Sequence, residues 1–126
     1  MTITRSFRDL EVWQESMVLV EDIYTLSRQF PPEERFGLTS QIRRASVSIP
    51  SNIGEGARRK RRKAFLNHLD IALGSQAELD VQLELVARLG FCTKGAQRRI
   101  AERVDRIGRM LNGLIGSLQP VENDWN

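Results

Sequence analysis

The sequence predicts an all-α protein, an antiparallel up-down four-helix bundle. Three observations carry this reading. Apolar residues recur at 3-4 spacing through four long segments, there is little evidence for strands, and the connections between the segments are short. With 126 residues, 40% of them hydrophobic and 28% charged, the chain suits one domain over 1–126 with its own core.

The first helix is expected from Asp9, a fitting N-cap, to about Gln29. Leu10, Trp13, Met17, Val20 and Tyr24 follow 3-4-3-4 spacing, and a second row, Val12, Leu19, Ile23, Leu26 and Phe30, lies beside it. Together they cover more than one core-facing stripe needs, so the spare face is expected to meet another subunit. Pro31-Pro32 stops this helix and can open the next, where Glu33 and Glu34 suit a helix N-terminus.

In the second segment Leu38, Ile42, Ala45, Ile49, Asn52 and Gly56 keep one register across Pro50. A kinked helix is therefore expected, the alternative being a loop from Ile49 to Gly56. Ala45 and Gly56 are small enough to permit close helix approach. The third helix should start within the basic run and reach Leu89, on a seam of Phe65, Leu69, Ala72, Leu79, Leu83 and Val86 with Gln76 as its polar exception. Gly90 marks its stop and Thr93 can cap the fourth helix. That helix has the cleanest pattern, Ile100, Val104, Ile107, Leu111, Leu114 and Leu118, before Pro120 ends it and 120–126 form a frayed, flexible tail.

A net charge of only +3 hides strong segregation. Residues 43–63 carry eight Lys and Arg against one acid, Glu55, and residues 94–109 carry six against two, whereas residues 1–42 carry four against seven. A solvated face is the bland alternative for each run. Two basic blocks among acidic stretches point instead to a polyanionic partner.

Catalytic and metal chemistry find little support. His68 is the only histidine, which rules out a multi-histidine metal site within one chain and suits a helix-surface or subunit contact. Cys92 is the only cysteine, so no intrachain disulfide forms, and it reads as a structural thiol in a reducing, cytoplasmic compartment. Gly54-Glu55-Gly56 lacks the GK[ST] ending of a phosphate loop, while Glu78, Asp80 and Glu84 resemble a solvated acidic face. No signal-type or membrane-spanning run is present, and no enzyme activity, cofactor, metal or membrane association is expected.

The expected function is non-catalytic nucleic-acid binding, RNA favoured over DNA, through phosphate contacts from Arg43, Arg44, Arg58, Arg59, Lys60, Arg61, Arg62 and Lys63. For Arg43 and Arg44 the alternative is intersubunit ion pairing with acids of helix 1 or 3. Asn52 is expected to satisfy a backbone carbonyl freed by the Pro50 kink rather than to read a base. The competing function is a structural adaptor for a protein partner such as a nucleic-acid enzyme. Attraction of the polybasic run to anionic lipid is a third reading, weakened by the lack of an interleaved large apolar face.

FRDLEVWQESMVLVEDIY, FGLTSQIRRASVSIPSNIGEG and FLNHLDIALGSQAELDVQLELVARLGF resemble the 23S ribosomal RNA intervening-sequence protein family over about residues 7–91. The name refers to reading frames inside insertions in ribosomal RNA genes. The resemblance implies a four-helix bundle assembled as a ring-shaped homopentamer. It is also similar to the accessory protein of diversity-generating retroelements, a basic pentameric barrel that binds nucleic acid and a reverse transcriptase. One departure stands out. Where the family often has Ser or a similar cap before helix 3, this chain has the six cations Arg58–Lys63. Cations there oppose the helix macrodipole, so folding alone does not explain them.

Overall fold

A computed structural model describes residues 6–119. The chain forms a 3₁₀ turn (Phe7–Asp9), α1 (Glu11–Ser27), a second 3₁₀ turn (Pro32–Glu34), α2 (Leu38–Ala57), α3 (Arg62–Arg88) and α4 (Lys94–Leu118). Each helix packs on its sequence neighbour and α4 returns to α1, which closes the four-helix bundle. No strand occurs among the described residues. The expected stop at Pro120 and the tail 120–126 lie outside them.

The start of α1 differs from expectation. Asp9 does not cap it but belongs to the preceding 3₁₀ turn, where Ser6 Oγ accepts from Arg8 N (3.1 Å) and Asp9 Oδ2 accepts from Ser6 N (3.2 Å). Asp9 thus completes a capping box one turn early, and Leu10, which has no side-chain acceptor, takes the N-cap of α1. At the other end α1 stops at Ser27 instead of Gln29.

Of the two apolar rows on α1, the second faces inward: Val12, Leu19, Ile23, Leu26 and Phe30 are buried. In the first row Met17 and Tyr24 are exposed, and Leu10, Trp13 and Val20 are only partly covered. The core completes with Ile42, Ile49 and Ile53 of α2, Leu69, Leu79 and Leu83 of α3, and Val104, Ile107 and Leu111 of α4.

Pro50 lies inside α2, which continues to Ala57, so no loop opens between Ile49 and Gly56. The helix survives because Ile49, Pro50 and Ile53 are all buried, and their packing outweighs one missing backbone hydrogen bond. Gly56 lets α3 come close, since a Cβ there would lie 2.5 Å from His68 Cβ. Gln76, the polar interruption of the α3 seam, donates to the Val104 carbonyl of α4 at 3.0 Å.

Gly90 ends α3 with φ +76°, a conformation that favours glycine. Its N–H bonds Ala87 O and that of Phe91 bonds Val86 O, the paired closure of a Schellman cap. The closure brings Phe91 to 5.7 Å from Phe30, ring centre to ring centre. Thr93 Oγ1 then caps α4 through Ala96 N (3.1 Å).

Candidate nucleic-acid interface

The six cations Arg58–Lys63 make up the connection between α2 and α3. Arg58 is the C-cap of α2, Arg59–Arg61 form the turn, and Arg62 and Lys63 open α3. This divides their electrostatics. Arg58 and Arg59 follow the negative end of the α2 dipole, where cations are favourable, and only Arg62 and Lys63 oppose the α3 dipole. The whole run is therefore not misplaced for folding, as the sequence suggested, although α3 still begins without a side-chain cap at Arg61.

All six side chains are exposed. Among the described residues the run has one acidic neighbour: Arg59 Nη2 lies 3.9 Å from Glu55 Oε1, with both side chains more than half exposed. Such a pair neutralises little. Arg58 holds its guanidinium 5.8 Å from the Phe7 ring centre.

The second basic block is answered within the chain. Arg103 Nη1 meets Glu15 Oε1 at 2.7 Å and its Nε meets Asp22 Oδ2 at 3.2 Å. Arg106 reaches Glu11 at 3.2 Å, and Arg109 pairs with Asp105 one turn back. The acids of α1 thus cancel much of the charge of α4, leaving Lys94, Arg98 and Arg99 at its start without a carboxylate within 4 Å among the described residues. Replacing Arg103 with Leu should cost about 1–2 kcal/mol, because Glu15 and Asp22 lose a partly buried partner. Urea denaturation checks this, and affinity for RNA should not change.

Arg43 and Arg44 do not join the six. Arg43 Nε donates to Ser27 Oγ (2.7 Å) and its guanidinium stacks 4.6 Å above the Tyr24 ring, so it ties α2 to α1 with no carboxylate involved. Arg44 is exposed. Both lie roughly 20 Å from Arg58 along α2. The eight expected contacts therefore separate into a compact group of six and two distant residues, of which Arg43 is already engaged.

A sequence model of the family described as 23S rRNA-intervening sequence protein matches residues 8–113. The chain belongs to this family. Its fold matches the crystal structure of a protein of unknown function from the S23 ribosomal protein family of Bacteroides thetaiotaomicron, with TM-score 0.77 and 28% identity over 82% of this chain and 97% of that one. Curated proteins yielded no match.

In this intervening-sequence protein the remaining polar groups of α2 and α3 form a structural network. His68 Nδ1 lies 3.0 Å from Asn52 Oδ1, Asn52 Nδ2 donates to Ser48 O (2.9 Å) and Ser48 Oγ (3.1 Å), and Ser75 Oγ donates to Ser48 Oγ (2.8 Å). Asn52 does bond a backbone carbonyl. It is that of Ser48, however, not that of Ser46, which Pro50 leaves without its usual donor. His68 contacts α2 of its own chain, a role hidden in the sequence because Asn52 and His68 lie on different helices.

Among the described residues no group of three or more His, Cys, Asp or Glu side chains could hold a metal, and no helix is long and apolar enough to cross a membrane. Burial pushes the Cys92 thiol above its ordinary pKa. Neutral thiol is thus favoured by the fold, and its contribution to stability is fully present at neutral pH and is lost as pH rises from the ordinary thiol range through the raised value. Alkylation of Cys92 at neutral pH should accordingly be slower than in urea-unfolded protein; equal rates would contradict a covered thiol.

Proposed function

We propose that this family member is a non-catalytic, cytoplasmic nucleic-acid-binding protein that takes RNA in preference to DNA and works as a homo-oligomer, a pentameric ring by family resemblance. The observation that supports this most is the α2–α3 turn, six exposed cations with a single weak acidic neighbour among the described residues. Guanidinium groups offer phosphate oxygens charge and paired donors. Contacts of this kind position a backbone without reading bases, so weak sequence preference is expected. Repeating the turn around a ring adds avidity.

The deciding experiment is a salt titration with a short RNA and a duplex DNA, using the parent and a variant with the turn neutralised. Unchanged affinity and slope in the variant would reject phosphate binding by the turn.

A second reading, a protein adaptor, draws on the opposite end of the bundle. Phe36, in the connection between α1 and α2, is 86% exposed, with the Arg35 guanidinium 5.1 Å from its ring centre. An exposed aromatic beside a cation suits a hot-spot contact. Substituting Phe36 with Ser should abolish capture of a protein partner from nuclease-treated lysate if the adaptor reading holds, and leave RNA binding intact.

A further inference from the structure

We infer that the cleft between the end of α1 and the start of α4 binds a small organic anion, an apolar body carrying one carboxylate or phosphate group that Arg99 receives. This goes beyond the phosphate contacts proposed for the α2–α3 turn, which lies at the other end of the bundle, about 40 Å away along α3.

The cleft forms where the last turns of α1 meet the first turns of α4. Leu26 of α1 and Ala96 and Ile100 of α4 give it an apolar floor, and the short Ala96 side chain leaves space above it. Thr25 and Gln29 of α1 and Arg99 of α4 add a polar lining. The space measures about 470 Å³, within the roughly 300–1,000 Å³ of small-molecule sites. Such sites combine apolar contact with a few polar groups that fix orientation. Thr25 and Gln29 supply these from one helix face, a hydroxyl and an amide four residues apart.

Charge selects the ligand. Asp22 is the one carboxylate lining the cleft, and Arg103 Nε holds it at 3.2 Å while Arg103 Nη1 reaches Glu15 at 2.7 Å. Arg103 is thus engaged by two acids, and Asp22 already has its cation. Arg99 lines the same space with no carboxylate within 4 Å among the described residues. A guanidinium receives an anionic group by charge and by paired donors. The floor rewards an apolar body attached to that group, because its burial removes apolar surface from water. A bare inorganic ion would use Arg99 alone and leave the floor wet.

Cys92 also lines the cleft and reports on its occupancy. Its alkylation by iodoacetamide, a neutral reagent, is to be followed at constant pH and ionic strength with benzoate, uridine monophosphate or inorganic phosphate. At about 20 mM, an organic anion with a dissociation constant of about 5 mM should slow labelling about fivefold. Protection by benzoate identifies a carboxylate head group, and protection by the nucleotide a phosphate. Arg99→Gln removes the charge and Ala96→Leu fills the space above the floor, so neither variant should be protected. Arg98→Gln, beside the cleft but not lining it, should keep the parental protection.

Arg98 and Arg99 are exposed, so their variants should keep the parental fold, and the urea midpoint checks Ala96→Leu. A second readout is independent of Cys92: the protecting anion should raise the thermal midpoint of the parent but not of Arg99→Gln. Protection by neither organic anion, or equal protection by inorganic phosphate, would overturn the inference. So would protection that survives Arg99→Gln or a folded Ala96→Leu, or that is lost in Arg98→Gln.

Discussion

Changing Arg58, Arg59, Lys60, Arg61, Arg62 and Lys63 to Gln should remove most of the affinity for a short single-stranded RNA and flatten its salt dependence. If four to six phosphates are contacted, each contributes about −0.7 to the slope of log K against log salt. The parent should then lose about 50- to 300-fold in affinity between 50 and 200 mM salt, and the variant less than tenfold, by the same relation. Fluorescence anisotropy at several salt concentrations measures both. The fold should persist, because all six side chains are exposed and only Arg59 has an acidic neighbour among the described residues. Thermal stability should change little, since relief of repulsion among adjacent like charges and of Arg62 and Lys63 at the positive end of the α3 dipole is offset by the loss of Arg58 and Arg59 from the negative end of the α2 dipole. A variant that binds as tightly as the parent with the same slope would place the phosphate contacts elsewhere. Lys94, Arg98 and Arg99 at the start of α4 would be the next cations to test.

Gly56→Ala is the single substitution expected to damage the fold most for its size. A Cβ at Gly56 would stand 2.5 Å from His68 Cβ and 3.0 Å from Phe65 Cδ1. The His68 Cβ is fixed to its backbone and cannot swing aside, so α2 and α3 must separate. That separation also strains the 3.0 Å contact between His68 and Asn52 and the 2.8 Å bond from Ser75 to Ser48. Overpacking of this kind costs about 1–3 kcal/mol or more, against a gain of up to about 1 kcal/mol from replacing Gly by Ala within a helix. Net destabilisation is therefore expected, read as a lower urea midpoint. Gly74→Ala supplies the control: nothing lies within 4 Å of a Cβ there, so only the helical gain remains and the midpoint should rise. Equal midpoints for the two variants would show that the α2–α3 approach does not depend on Gly56.

Much of the architecture was legible in the chain. Continuity of α2 through Pro50 followed from a register that Ile49 and Gly56 share, and the end of α3 followed from Gly90. Thr93 at the N-cap of α4 was equally plain, because a cap depends on residues within one turn. The start of α1 was misplaced because Asp9 has the chemistry of a cap in either setting. Only the bond that Asp9 Oδ2 accepts from the Ser6 N–H reveals which turn it serves. Of the candidate site, the six-residue turn was visible as a charge run. The separation of Arg43 was not, since its engagement with Ser27 and Tyr24 requires α1 and α2 to lie side by side.

The sequence by itself determined where the helices run and that each has an apolar stripe, because periodicity and capping act over a few residues of one segment. Which stripe of α1 turns inward was a tertiary decision, for both rows repeat at the same helical period and the choice depends on what packs opposite. The same holds for charge. The arginines of α4 and those of the α2–α3 turn look equally available in a linear reading, but α1 brings Glu11, Glu15 and Asp22 to the former, while the latter find only Glu55 among the described residues. Pairing across helices is a relation between segments far apart in the chain, and only the packed bundle brings those segments together.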